Sequence, residues 1–293
     1  MSNNRTPWSV SRMRVLEACP RRFALQYIGN TPRGETKQNL RTLGRRRPPG
    51  DYMRRAVSEA IHRRLLALKR NERTSPGDEA AWVRDHVRAA FMSGGEASHL
   101  ELDRSAVDDL VSRAQHRARS SREIDLLKRI DAGESMEWLP LERRQPRVTH
   151  RNLLWTAPDL IVHIDGTWNL VRFTMEAGRS GPREHERLEL GLMLDWAMAE
   201  SSLPSDPAAF RIRRIAWRWD RWVDWQRPGT ADWMRESRDL LDADIHILQR
   251  AHLKLDGFGN LDALPTARKR RECVSCGYRA ICPGSLVRPI KAG

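Results

Sequence analysis

The stretch from residue 157 to residue 179 reads APDLIVHIDGTWNLVRFTMEAGR, and it decides which fold the sequence predicts. Two short apolar runs, residues 160–164 and 168–173, are separated by the pair Asp165-Gly166. An Asp-Gly pair between apolar runs is typical of a β-hairpin, because both residues tolerate the positive φ that a two-residue turn requires. The sequence therefore predicts two neighbouring strands of a sheet.

Helical patterns lie on both sides of this hairpin. Apolar residues that recur every three or four positions indicate helices with one buried face. Such patterns predict helices over residues 51–70, 78–92, 103–131, 183–200 and 230–255. Apolar runs at residues 153–155 and 210–219 predict two further strands, so the sequence predicts a mixed α/β protein.

The N-terminal segment begins with a short helix that is interrupted. Ser9 or Ser11 can cap this helix, since a hydroxyl can accept a bond from a free backbone N–H of the first turn. Pro20 breaks or restarts the helix. Residues 30–50 are rich in Arg, Gly and Pro, and predict a basic loop that is either a solvated linker or a contact with DNA.

The charge of the chain is strongly positive. Lysine and arginine number 52 and aspartate and glutamate 38, which gives a net charge of +14. Such a balance favours nucleic acid as the partner, although an acidic protein or a membrane surface would also attract it. The sequence contains no apolar run of membrane-spanning length and no secretory signal, so we expect a cytoplasmic protein without a membrane partner.

The four cysteines form a pattern of one early and three late residues. Cys19 is followed after a long gap by Cys273, Cys276 and Cys282. In a reducing compartment, four cysteines are more typical of metal ligands or free thiols than of disulfides. Four thiolates suit zinc or a four-iron cluster equally well, and the short spacings alone do not separate them from each other. Four ordinary buried thiols are a further alternative.

Both ends of the chain resemble a known family. The CPRRF core of residues 11–27 and the tail CVSCGYRAICPG of residues 273–284 resemble the opening and closing motifs of RecB-like nucleases of the PD-(D/E)XK superfamily. The resemblance is to the iron-sulfur group that includes the AddB nuclease subunit and the CRISPR-associated RecB-like exonucleases. It implies that one [4Fe-4S] cluster is held by Cys19, Cys273, Cys276 and Cys282 and joins the two termini.

The resemblance also implies a restriction-endonuclease-like α/β core with a short mixed sheet. We predict a single domain over residues 1–293. Its mainly helical part covers residues 1–140, its sheet core residues 141–225, and its C-terminal helix and cysteine cluster residues 226–293.

The family's nuclease centre implies three kinds of catalytic residue in this chain. His62 corresponds to the helix histidine and Asp159 to the hairpin aspartate. The D/E-x-K motif on the next strand is missing, because the alignment places Arg172 and Thr174 at its acidic and lysine positions. These groups would otherwise bind Mg²⁺ or Mn²⁺ and activate water.

A shifted alignment offers Glu176 as the second carboxylate. Gly178 then replaces the lysine, and Arg179 alone could compensate, although an arginine is a poor proton acceptor. His62, Asp159 and Glu176 are thus the candidate catalytic and metal-binding residues. The family's Gln and Tyr on the following helix correspond to Arg187 and Gly191.

Tryptophan and arginine alternate in residues 213–227, which read RRIAWRWDRWVDWQR. Arginine pairs with phosphates and indole rings stack on bases, but both residue types are also enriched at protein interfaces. We expect Trp217 and Trp219 to pack in the sheet core, and Trp222 and Trp225 to follow the strand and to contact DNA or a partner. The candidate nucleic-acid-binding residues are Arg179, Arg218, Arg221, Trp222 and Trp225.

Together these patterns predict an iron-sulfur DNA-binding protein with a nuclease fold and a degraded catalytic centre. We expect single-stranded or partly unwound DNA and other proteins as partners, in a complex for DNA repair or for defence against foreign DNA. Two alternatives remain open at this point. The first is an active Mg²⁺- or Mn²⁺-dependent exonuclease with a migrated catalytic residue, and the second is a structural adaptor without DNA contact.

Overall fold

The described part of the chain, in a computed structural model, comprises residues 8–28, 37–141, 147–149, 152–177, 181–258, 261, 264–274, 276–282 and 285. The chain forms two compact units. The first unit contains Gly50–Leu241, and the second combines Trp8–Pro49 with Asp242–Gly293.

The helices of the first unit follow the predicted patterns closely. The helices of both units are, in chain order, α1 (Val10–Ala18), α2 (Pro20–Phe23), α3 (Lys37–Arg45), α4 (Pro49–Lys69), α5 (Pro76–Phe91), α6 (Arg104–Ser120), α7 (Asp125–Asp131), α8 (Glu184–Met198), α9 (Ala231–Phe258) and α10 (Arg270–Val274). The helix predicted over residues 103–131 is divided into α6 and α7, because a short 3₁₀ turn at Ser121–Glu123 interrupts it.

Local capping explains where several helices begin. The Ser9 hydroxyl accepts a hydrogen bond from the Arg12 N–H at 3.3 Å, so Ser9 is the predicted cap of α1. Cys19 ends α1 in an extended conformation, and Pro20 starts α2 at a position where its missing N–H has no cost. Ser75 and Asp78 form a reciprocal capping box at the start of α5.

The sheet of the first unit has the strand order β1-β4-β5-β6-β7. The strands are β1 (Glu137–Pro140), β2 (Arg147–Thr149), β3 (Asn152–Leu154), β4 (Leu160–Ile164), β5 (Thr167–Thr174), β6 (Phe210–Arg218) and β7 (Arg221–Pro228), of which β2 and β3 form a separate antiparallel pair. Only β5 and β6 of the five-stranded sheet run parallel, and α8 lies between them in the chain. Asp165 and Gly166 have φ values of 51° and 72°, which confirms the predicted hairpin turn.

Each face of this sheet is covered by helices. Val171, Phe173 and Ile215 project to one face, where buried residues of α4, α5, α6 and α7 cover them. Leu170 and Ile212 project to the other face, where α8 and the first turns of α9 cover them. Residues two apart in a strand share a face, so Arg172 and Arg214 lie on the α8 face.

Two expectations about local structure are wrong. The segment 30–50 is not simply a loop, because α3 occupies Lys37–Arg45 and α4 begins at Pro49; residues 29–36 lie outside the described residues. Trp222 and Trp225 do not follow the last strand but belong to β7, and Trp219 occupies the turn before it rather than the sheet core. The alternation of Trp and Arg continues through a tight turn, which the sequence pattern did not reveal.

Candidate functional site

Asp159 stands at the entrance to β4, between β1 and β5. Its backbone N–H donates to the Val171 carbonyl at 2.8 Å, and its carbonyl accepts from the Leu141 N–H at 2.9 Å. Its Oδ2 accepts from the Phe173 N–H at 2.6 Å. The backbone of two strands therefore holds this carboxylate in one position, as a catalytic aspartate would require.

Arg172 fills the space beside Asp159. Its side chain is 3% exposed, and its Nη1 lies 3.5 Å from Asp159 Oδ1. Its Nη2 lies 3.2 Å from Glu189 Oε1 on α8 and also donates to the Thr156 carbonyl at 3.4 Å. At the position where a nuclease of this type carries its second carboxylate, the chain thus has a buried guanidinium held between two acidic side chains.

Arg214 repeats this arrangement on the neighbouring strand. It is the register partner of Arg172, and its Nη2 lies 3.0 Å from Glu186 Oε1 on α8 and 3.0 Å from the Glu176 carbonyl. Burial lowers the pKa of Arg214, while Glu186 favours its charged form. Glu186 and Glu189 are one helical turn apart, so α8 presents one glutamate to each arginine.

This network changes what the centre can do chemically. A divalent cation in a nuclease centre needs carboxylate oxygens that are free to coordinate it. Asp159, Glu186 and Glu189 instead neutralise the guanidinium groups of Arg172 and Arg214. Asp159, Glu186 and Glu189 could therefore coordinate a cation only by giving up these ion pairs.

The other candidate catalytic residues are placed differently from Asp159. His62 is half-buried on α4, and its buried Nε2 has no hydrogen-bond partner among the described residues. Glu176 is 68% exposed just beyond β5 and forms an ion pair with Arg54, which also contacts Asp51. Over the described stretches, no group of three or more His, Cys, Asp and Glu side chains is arranged to hold a metal ion.

Gly191 on α8 marks a further difference from the family pattern. A Cβ atom at this position would lie 2.0 Å from Ser237 Oγ and 3.0 Å from Trp233 Nε1 of α9. The helix pair is therefore too close to admit the tyrosine that the family carries here. Arg187, at the position of the family's glutamine, is exposed.

We expect Gly191→Ala to destabilise the first unit by about 1–3 kcal/mol, because the added methyl group overlaps side chains of α9. Replacing glycine by alanine within a helix usually stabilises it by up to about 1 kcal/mol. A destabilisation by Gly191→Ala would therefore be due to the steric overlap with α9. Urea unfolding curves measure the change. Arg187→Ala on the exposed face of α8 is the matched control. A midpoint raised by the full helix-propensity gain for Gly191→Ala would show that the two helices can move apart at no cost.

The four cysteines lie in the second unit and line one small cavity, with a volume of about 20 Å³. Cys273 is buried and the other three are half-buried. Cys19 connects α1 to α2, and its sulfur accepts a bond from the Arg22 N–H at 3.4 Å. Burial raises the pKa of the Cys19 and Cys276 thiols, and in each case neighbouring cysteines of the group add to the rise.

The wall of this cavity is closely packed. Tyr278 is buried beside the cysteines, and this burial raises its pKa to about 12. Gly44 of α3 faces the Tyr278 hydroxyl, where a Cβ atom would lie only 2.3 Å from the oxygen. A Cβ atom at Gly277 would lie 2.2 Å from the Leu43 carbonyl. Helix α3 and the segment 276–278 therefore lie so close together that only glycine fits at Gly44 and Gly277.

The tryptophan residues of the β6–β7 hairpin have unequal environments. Trp217 is buried, as predicted, whereas Trp219 is 72% exposed. Trp222 is half-buried and its Nε1 donates to the Arg117 carbonyl at 3.1 Å. Trp225 is also half-buried and its ring lies edge-on to Trp233, with 6.3 Å between the centroids.

The candidate basic contacts are partly accessible. Arg218 is half-buried and its guanidinium lies 4.4 Å from the centroid of the Trp219 ring. Arg221 is exposed at the start of β7. Arg179 lies outside the described residues. A role of these residues in nucleic-acid binding stays a prediction.

A mixed sheet that holds an aspartate at a hairpin entrance, with helices on both faces, is consistent with the core of a PD-(D/E)XK nuclease. The sequence model of the PD-(D/E)XK nuclease superfamily matches residues 7–283, and the chain belongs to this superfamily. No curated protein matches the chain.

One solved structure that is similar to this chain is described as the crystal structure of SSO0001. It is 18% identical, has a TM-score of 0.32, and the match covers 69% of this chain and 84% of that one. The family-model match confirms the predicted superfamily, and the five-stranded mixed sheet with its helices confirms the predicted mixed α/β fold. None of the helices in the described ranges is long and apolar enough to cross a bilayer.

Proposed function

We propose that this protein binds DNA through a nuclease fold whose catalytic centre no longer cleaves efficiently. The observation that carries the proposal is the buried guanidinium of Arg172 between Asp159 and Glu189. Hydrolysis of a phosphodiester by this type of centre relies on a bound divalent cation to activate water and to stabilise the developing charge. A cation at Asp159 would have to displace Arg172 from its carboxylate partners.

The cost of that displacement supports an inactive centre. Separating a buried ion pair leaves a charge without compensation, and losses of about 3–5 kcal/mol are typical. The free energy of metal binding at Asp159 would be reduced by the free energy needed to separate these ion pairs. In addition, Thr174 occupies the lysine position and supplies no positive charge to a transition state.

DNA binding follows from the charge of the chain. With a net charge of +14, the protein attracts a polyanion, and release of condensed counterions would add to the affinity. We propose single-stranded or partly unwound DNA as the ligand, with Arg179, Arg218, Arg221, Trp222 and Trp225 as contacts. Because the indoles of Trp222 and Trp225 are half-buried, the arginines would contribute more than the tryptophans to the binding free energy.

We further propose that Cys19, Cys273, Cys276 and Cys282 hold one [4Fe-4S] cluster. Four thiolates are the donor set that such a cluster requires, and all four thiols line one cavity. The cavity has a volume of only about 20 Å³ and no three of these thiols, all of which belong to described residues, are arranged as metal ligands, so the cysteine-bearing segments would have to move apart to admit the cluster. When bound, the cluster would act as a structural cross-link and not as a redox centre. Because Cys19 and Cys282 are far apart in sequence, joining them restricts the unfolded chain strongly.

The cellular role that we propose is a subunit of a cytoplasmic complex for DNA repair or for defence against foreign DNA. This role rests on the analogy with iron-sulfur RecB-like nucleases, since a fold by itself does not define a function. A degraded centre combined with a DNA-binding surface suits a subunit that positions DNA for another protein.

The test combines DNA binding with cleavage. We expect the purified protein to bind a single-stranded oligonucleotide and to leave it intact in the presence of Mg²⁺ or Mn²⁺. If about four phosphates are contacted, the logarithm of the binding constant should fall against the logarithm of salt with a slope of roughly −3. Filter binding at several salt concentrations measures the slope, and gel electrophoresis detects cleavage.

Two results would contradict the proposal. Metal-dependent cutting that Asp159→Ala abolishes would establish the active-exonuclease alternative. An absence of DNA affinity even at low salt would favour the adaptor alternative, because phosphate contacts are strongest under those conditions.

A further inference from the structure

The tip of the β6–β7 hairpin has an unusual composition. Arg218 and Arg221 are the last paired residues, so Trp219 and Asp220 form a two-residue turn. Trp219 has a φ of 55° and is 72% exposed. Glycine is favoured at a positive φ in such turns, and a bulky aromatic residue there is a genuine outlier. Strain combined with exposure of a large apolar ring points to a function at this position.

The turn and the start of β7 contact α6 at two points. Asp220 Oδ1 lies 3.0 Å from His116 Nε2, and Trp222 donates to the Arg117 carbonyl. The Arg117 guanidinium lies 5.1 Å from the centroid of the buried Trp217 ring. The hairpin therefore presents the Trp219 ring from a fixed support, which lowers the entropy that a binding event would lose.

The tip lies at the same end of the sheet as the altered centre. Thr174 pairs with Ala216 at the end of the parallel β5–β6 ladder, and the Ala177 N–H donates to the Trp217 carbonyl at 2.7 Å. Arg117 also donates to the Met175 carbonyl at 3.3 Å. A nucleic-acid strand that passes the end of β5 would meet the hairpin tip next.

The charges around Trp219 suit an anionic ligand that carries flat rings. The Arg218 guanidinium lies over one face of the indole, and Arg221 is exposed on the opposite strand of the turn. The one acidic residue of the turn, Asp220, is already engaged by His116. Phosphates could approach the arginines while a base stacks on the indole.

We infer that Trp219 is a base-stacking residue for single-stranded DNA at the tip of this hairpin. The inference rests on the proposed DNA binding and adds to it a contact that the half-buried Trp222 and Trp225 are poorly placed to make. Arg218 and Arg221 contact the phosphates on either side of the stacked base. The stacking contribution is independent of sequence, because every base has a flat face.

The experiment measures binding of the full chain to a single-stranded oligonucleotide that contains 2-aminopurine. We expect Trp219→Ala to weaken binding about tenfold and to remove the fluorescence quenching that stacking causes. Trp219→Phe should retain most of both signals. The salt slope should stay the same in Trp219→Ala, since no phosphate contact is lost, and should become shallower in Arg221→Ala.

Two control variants separate binding from folding. Trp219→Gly relieves the strained φ, so we expect a melting temperature equal to or above that of the wild type, together with the same loss of affinity. Met92→Ala removes another exposed apolar side chain of the first unit and should leave DNA binding unchanged.

The outcomes distinguish this inference from the proposed function. If the wild type binds DNA and Trp219→Ala binds equally well, the stacking role is overturned and DNA binding stands. If Trp219→Phe loses as much affinity as Trp219→Ala, an aromatic face is not what the DNA contacts, and the inference is wrong. If the wild type binds no DNA, both the inference and the proposed function are wrong.

Discussion

Arg172→Ala is expected to destabilise the protein by about 3–5 kcal/mol, because it leaves Asp159 and Glu189 facing each other without the guanidinium that neutralises them. For a unit of this size the loss corresponds to a fall in melting temperature of roughly 6–20 °C. Differential scanning calorimetry or urea unfolding measures the change. A loss below about 1 kcal/mol would show that the ion network is not important for folding.

Two further variants make this result interpretable. Arg187→Ala removes an exposed arginine from α8 and should change stability by less than about 0.5 kcal/mol. Combining Arg172→Met with Asp159→Asn and Glu189→Gln removes the three charges of this group at once and leaves the Arg214–Glu186 pair in place. It should recover part of the loss, since neutral replacement of a buried ionic group is tolerated better than removal of one partner.

The second large effect is expected at the cysteines. If they hold the proposed cluster, Cys276→Ala should reduce the iron content from four atoms per chain to nearly none. The stability of the second unit should fall with it, because binding of a structural metal contributes on the order of 10 kcal/mol to folding in small domains. Cys276 packs against a cluster of buried residues in this unit that includes Leu25, Leu40 and Tyr278, so loss of the iron-sulfur cluster would also remove support from this part of the core. Iron and sulfide analysis after anaerobic purification gives the metal content, and hydrogen exchange reports protection in each unit separately.

The control for this variant is Ser285→Ala, at a residue that lines the same cavity without a thiol. It should retain the iron. Unaltered iron in Cys276→Ala would exclude this cysteine as a ligand. A wild-type protein that contains zinc and no iron would replace the proposed cluster with a zinc site.

The β4–β5 hairpin and most helices could be predicted from the sequence because their signals are local. Asp165-Gly166 encodes its own turn, and the apolar periodicity of α4 and α5 reports a buried face without reference to other segments. The position of Asp159 could also be predicted, since it depends on the same hairpin.

The ion network could not be predicted, because its members come from distant segments. Glu186 and Glu189 look like ordinary solvent-facing residues of a helix, and only the crossover from β5 to β6 brings them over the arginines. A weak signal existed in β6, where Arg214 occupies an inward position between Ile212 and Ala216. A charged residue at a buried strand position indicates a buried partner but does not identify it.

The hairpin tip illustrates a different limit. Period-two alternation places Trp217 and Trp219 on the same face of an extended strand, and this reasoning is valid only as far as the strand continues. The turn begins one residue earlier than the pattern indicates, and the backbone at Trp219 adopts a conformation that sequence statistics assign to glycine. A residue that breaks a local rule is difficult to predict for that reason.

The second unit is built from two segments separated by about 190 residues, and this has a consequence for biosynthesis. At a translation rate of about 5–20 residues per second, the segment with Cys19 leaves the ribosome roughly 10–40 s before its counterpart exists. During this interval Asp244, which accepts the indole hydrogen bond of Trp8, has not yet been synthesised. The three cysteines that share a cavity with Cys19 are also still missing. The first unit can fold as the nascent chain emerges, whereas the second can fold only after its later segment, which begins at Asp242, has also emerged. A metal ion or cluster that needs all four cysteines can be bound only after Cys282 has been synthesised, and the segment Trp8–Pro49 depends on a chaperone or on its own solubility until then.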